Sequence, residues 1–135
     1  MIRKYTYGTP YQTYAAVVEL EAAGEPIPYF SVEQGEKGLS FSLPLQEDEA
    51  VYGLGENVRG INKRGYLYIS NNVDDAPETE GKHSLYASHN FILVSGKQRT
   101  FGAFFDDPAW FSFDIGFTDP DMAVMTSRFG DLAVY

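Results

Sequence analysis

Cysteine is absent from the chain, which excludes disulfides, thiolate metal sites, dithiol redox chemistry and cysteine nucleophiles together. A cysteine-free chain fits a reducing compartment, and the expectation is a cytoplasmic protein. Long apolar runs are missing too, since nothing approaches the roughly 18 residues of a helical membrane span. Met1-Ile2-Arg3-Lys4-Tyr5-Thr6-Tyr7 has early positive charge but no apolar stretch behind it, unlike a signal peptide. Positive charge is scarce throughout: ten Lys and Arg stand against nineteen Asp and Glu, a formal net charge of −9. Polyanion binding draws on clustered cations, so neither nucleic acid nor an anionic membrane is an expected partner. No helical period, internal repeat or cofactor motif is visible. The pair Gly53-x-Gly55 does not extend to a dinucleotide fingerprint, because position 58 is valine and no helix is expected after it. There is no Gly-x-Ser-x-Gly elbow, and His83 and His89 lack metal-ligand spacing with acidic partners. His83 reads as loop surface and His89 as a strand-end residue.

Aromatics are what the chain has in quantity, with ten Tyr, ten Phe and one Trp in 135 residues. Such residues suit half-buried pleated surfaces. The length fits one domain able to bury more than about 60 % of its unfolded surface. Strands are expected at Ile2 to Tyr7, Phe30 to Gln34, Leu39 to Leu45, Ala50 to Gly53, Gly65 to Ser70, Asn90 to Ser95, Thr100 to Asp106, Phe111 to Phe117, Met122 to Thr126 and Asp131 to Tyr135. Tyr14 to Glu21 suits either a short helix or an irregular strand, with strand preferred. Gly35-Glu36-Lys37-Gly38 should turn a hairpin. Its second arm alternates Leu39, Phe41, Leu43 and Leu45 with Ser40, Ser42 and Pro44, one face in the core and one in solvent, and Pro44 argues for an edge strand. Phe91-Ile92-Leu93-Val94 is apolar on both faces and reads as a central strand. Short strands at about ten-residue spacing indicate an all-β antiparallel sandwich.

The candidate functional stretch runs from Val51 to Phe91. Gly53 and Gly55 read as positions of tight turn or close backbone approach. Glu56 with Arg59 and Arg64 reads as a structural pair orienting the acidic loop, with an anion site as the alternative, and Lys63 as solvated. That loop, Asn71 to Ser84, is fourteen residues long, enough to be functional. On local chemistry alone Asp74 and Asp75 read as turn and solvation residues before ligand contacts. Adjacent carboxylates are not a glycosidase pair, which needs two groups flanking one bond. Asp106-Asp107-Pro108 and Asp119-Pro120-Asp121 read as turn formers.

Several blocks, in order, resemble glycoside hydrolase family 31. These are Val51-Tyr52-Gly53-Leu54-Gly55-Glu56, Asn62-Lys63-Arg64-Gly65, Asn72-Val73-Asp74 with Asp75-Ala76-Pro77, Leu85-Tyr86 with His89-Asn90-Phe91, and Phe101-Gly102 with Phe104-Phe105-Asp106 and Pro108. The resemblance implies the galactose-mutarotase-like N-terminal β-sandwich of a retaining α-glucosidase, spanning residues 1–135. A catalytic (β/α)8 barrel carrying both catalytic aspartates is expected after residue 135. It implies no catalytic residue, cofactor or metal in this chain, and an α-gluco-oligosaccharide as the substrate of the whole enzyme. By motif Asp74 binds substrate at the rim of the pocket, and the tandem Asp75 leaves one position open. The alternative is a free-standing carbohydrate-binding module that stacks sugars on aromatics such as Trp110.

Overall fold

The computed structural model describes residues 1–12, 19–36, 38–74, 76 and 78–135. The strands described are β1 (Tyr5–Tyr7), β2 (Ser31–Gly35), β3 (Gly38–Pro44), β4 (Ala50–Gly55) and β5 (Tyr66–Ser70). They continue as β6 (Ser88–Ser95), β7 (Thr100–Asp106), β8 (Phe111–Ile115), β9 (Met122–Ser127) and β10 (Leu132–Val134). Two five-stranded sheets form, in the orders β1-β10-β7-β6-β4 and β2-β3-β9-β8-β5, with every strand pair antiparallel. This is the expected all-β sandwich. The sheets share one core because each inner face follows the period-two alternation of its strands. Phe41 and Phe113 of one sheet meet Phe105 of the other at ring separations of 5.2 and 6.0 Å. Each such buried phenyl side chain stabilises by about 1.5–3 kcal/mol relative to exposure.

The hairpin of β2 and β3 is present, with Gly35 opposite Gly38. Pro44, however, does not mark an edge, since β3 lies between β2 and β9. The Leu45 N–H donates to the Asp121 carbonyl on the β9 side, so the backbone of Pro44 faces the β2 side. There β2 has already ended, as its first residue Ser31 sits opposite Ser42. No ladder bond is lost at Pro44, and its carbonyl instead accepts from Arg99 Nη2 at 2.6 Å. The strand expected to reach Phe117 stops at Ile115, because Gly116 turns the chain with φ +73°. Of the Tyr14 to Glu21 expectation, residues 13–18 lie outside the described residues, and residues 19–21 are not strand.

β6 is interior, between β7 and β4. Ile92 and Val94 point into the core, whereas Phe91 is 42 % exposed on the outer face. Phe91 stands opposite Phe104, which stacks with Tyr135 at 6.2 Å. An apolar row therefore crosses the outside of this sheet.

The glycines of β4 have a common cause. Gly53, Leu54 and Gly55 all take positive φ, at 113°, 66° and 74°, and the β4–β6 register shifts between the two glycines. A side chain at Gly53 would come within 2.2 Å of the Phe91 carbonyl, and one at Gly55 equally close to the Ala87 carbonyl. This bulge changes the phase of the strand and sends Leu54 into the core.

Candidate functional site

The acidic loop joins β5 of one sheet to β6 of the other, so it crosses one end of the sandwich with a foot on each layer. Short-range pairing closes its base. The Asn71 N–H donates to Ser84 Oγ at 3.2 Å, and Ser84 Oγ donates back to the Asn71 carbonyl. The Val73 N–H donates to the Leu85 carbonyl at 3.0 Å, and Asn72 Oδ1 accepts the Ser88 N–H at 2.7 Å. Leu85 is buried and acts as the plug that seats this stem. The Asn and Ser side chains cap backbone groups that no strand partner reaches.

The returning limb is tied down by Arg59. Its Nε donates to the Glu80 carbonyl at 2.8 Å and its Nη1 to the Leu67 carbonyl at 2.9 Å, while the guanidinium lies over Tyr66 and Tyr68 at 4.4 and 5.2 Å. His83 adds a second donor to Leu67, its Nδ1 lying 2.8 Å from that carbonyl. The expected pairing of Glu56 with Arg59 or Arg64 is not what forms. Arg64 donates to the carbonyls of Gln46, Glu49 and Pro120, and among the described residues no ion pair joins either arginine to Glu56. Planar forked donors suit clusters of carbonyls as well as carboxylates. Lys63 is not solvated either. It is 6 % exposed, with Nζ donating to Asn57 Oδ1 at 2.8 Å and the Gly60 carbonyl at 2.9 Å, and burial pushes its pKa down. Arg59 thus tethers the returning limb of the loop, whereas Lys63 and Arg64 fasten the connection between β4 and β5.

Asp74 stands at the outer end of the stem with its carboxylate exposed. One oxygen, Oδ1, accepts the phenolic O–H of Tyr86 at 2.9 Å. Asp75 lies outside the described residues. Tyr86 is visible in the sequence only as part of a motif block, because a pairing twelve residues apart across an irregular loop follows no strand or helix period.

Behind the loop lies an open cleft of about 320 Å³ between the loop base, β6 and the β7–β8 turn, lined by Asn71, Asn72, His89 and Trp110 among others. Trp110 is half-exposed at its lip. Asp107 is a structural turn residue, accepting the Ala109 N–H and the Ser127 hydroxyl. Asp119 likewise accepts the Asp121 N–H. Among the described residues no group of three or more acidic or histidine side chains could hold a metal ion.

Comparison with known proteins identifies the family of the fold. The model of the glycosyl hydrolase 31 N-terminal galactose mutarotase-like domain matches residues 11–114. A comparison with curated protein sequences finds no match. Among solved structures, the chain resembles a family 31 dextranase of Flavobacterium johnsoniae complexed with isomaltotriose, with 26 % identity and a TM-score of 0.66 over 79 % of this chain and 13 % of that one. It also shares its fold with a cycloalternan-degrading enzyme of Trueperella pyogenes in complex with isomaltose, with 22 % identity and a TM-score of 0.61 over 69 % of this chain and 14 % of that one. The chain therefore spans about an eighth of the length of these relatives.

Proposed function

This chain belongs to the N-terminal galactose mutarotase-like domain family of glycosyl hydrolase 31, and from that premise we propose that it is the non-catalytic sandwich of a retaining α-glucosidase. The whole enzyme hydrolyses terminal α-glucosidic bonds of short oligosaccharides. Its nucleophile and acid/base belong to a catalytic barrel, and this domain lends the acidic loop to the rim of the pocket, where Asp74 accepts hydrogen bonds from substrate hydroxyls. The observation that carries the reading is an exposed Asp74 carboxylate on a loop whose base is hydrogen-bonded shut. The likeness to a dextranase complexed with isomaltotriose supports a glucan substrate.

The test is Asp74→Ala in the enzyme that carries this domain. Hydrogen bonds to a charged acceptor are strong enough that kcat/KM on isomaltotriose should fall about ten- to a hundredfold. Unchanged kinetics would remove Asp74 from the site. A second reading, a free-standing carbohydrate-binding module, draws on half-exposed Trp110 beside the polar cleft. One aromatic face and a few hydroxyl contacts do not offset the ordering cost of binding, so titration of the isolated domain with isomaltose should give no saturation below about 1 mM. Saturation in that range would favour the module.

A further inference from the structure

Asp74 follows directly on the Val73–Leu85 backbone bond of the stem. A short carboxylate side chain in solvent samples several staggered rotamers, and only some would aim it at a sugar. Among the described residues, the contact that selects among them is the hydrogen bond from Tyr86 Oη to Oδ1 at 2.9 Å. Tyr86 is suited to this because the residue before it, Leu85, is 3 % exposed and seated in the stem. The ring therefore starts from an anchored backbone, although Tyr86 itself is 48 % exposed and contributes little to the core. The phenol donates one proton to one oxygen, and a carboxylate has roughly four acceptor directions. Acceptor capacity therefore remains for a ligand hydroxyl while the group is held in one orientation.

We propose that Tyr86 is a positioning residue for the sugar contact: it holds Asp74 in the orientation that receives a substrate hydroxyl and acts through Asp74. The inference rests on the reading of Asp74 as a substrate-binding residue. Pre-organisation of this kind makes binding stronger by removing an ordering cost before the ligand arrives.

A double-mutant cycle in the whole enzyme separates the two ideas, with isomaltotriose as substrate and the thermal midpoint measured for each variant. Tyr86→Phe removes the donor and keeps the ring, so kcat/KM should fall about three- to tenfold with an unchanged thermal midpoint. In the Asp74→Ala background the same change should cause no further loss. Wild-type kinetics in Tyr86→Phe, alongside a defect in Asp74→Ala, would overturn the positioning role and leave the reading of Asp74 standing. An equal loss from Tyr86→Phe with and without Asp74 would also overturn it, since Tyr86 would then be acting on its own. If Asp74→Ala alone behaves as wild type, it is the underlying reading that fails.

Discussion

Glu49 and Arg99 form the most enclosed charge pair among the described residues. Arg99 Nε and Nη2 reach the two carboxylate oxygens at 2.5 and 2.9 Å, and the Glu49 side chain is 1 % exposed. The same carboxylate accepts the Gln46 N–H, so it both shapes the acidic turn and fastens it to the β6–β7 hairpin. The Arg99 hydrogen bond holds the Glu49 pKa below its ordinary value of 4.5, against the opposing effect of burial. A folded-state pKa below the unfolded one contributes stability that is fully present above the unfolded value and is lost as pH falls through the folded one. Glu49→Gln should therefore lower unfolding stability by about 3 kcal/mol at pH 7. The gap to wild type should narrow as pH drops below about 4, as read from denaturant midpoints across pH. A gap constant from pH 7 to pH 3 would refute this account. Little of it is legible in the sequence. Glu49 and Arg99 are fifty residues apart, whereas nearness in the chain points to Arg59 and Arg64 as partners for Glu56. Lys63 departs from expectation for a related reason. A lysine is solvated by default, and the Asn57 and Gly60 acceptors that allow its burial become convergent only when the segment after β4 curls under it.

At the level of the element, the acidic loop is recognisable from its polarity, its length and the Asp-Ala-Pro punctuation. Its limits are legible because strands with clear patterning flank it. What tethers it is not, since Arg59 lies 21 residues from Glu80 and precedes a whole strand. Arg59→Ala removes two guanidinium–carbonyl bonds and the ring stacking. Such bonds contribute about 1.5–3 kcal/mol each at most, so the returning limb around Glu80 should open more often. Where opening equilibrates before cleavage, proteolysis follows the open population. Limited digestion should then cut the loop at least about tenfold faster in the variant while the sandwich survives. Equal cleavage rates would mean that the stem alone holds the limb. The bulge in β4 shows the opposite case of legibility. Two glycines one residue apart at a strand end announce a close backbone approach, and Gly53 and Gly55 each face a carbonyl at a distance no Cβ tolerates.

For the whole molecule, alternation is enough to give the two-layer class, because each inward residue must find a facing layer. It cannot give the strand order, which depends on pairings such as β3 with β9. Nor can it tell whether the doubly apolar β6 is covered on both sides. The outer face keeps Phe91 at 42 % and Phe104 at 36 % exposure, and contiguous apolar surface favours association. The net charge of −9 opposes it. The isolated domain should therefore be monomeric at low ionic strength and self-associate as added salt screens that repulsion. Phe91→Ser with Phe104→Ser should abolish the salt dependence in sedimentation velocity, and a sedimentation coefficient independent of salt in the wild type would count against the idea.

The pairing of β1 with β10, Tyr5 opposite Val134, sets a timetable for the ribosome. Among the described strands, β1 is synthesised before all the others and its ladder partner after them, and β7 also waits for β10 on that flank. A nascent chain must therefore carry one open sheet edge until translation has passed Leu132. Pairings of such long range fold in milliseconds to seconds rather than microseconds, which leaves that edge as a surface for chaperones to guard during synthesis.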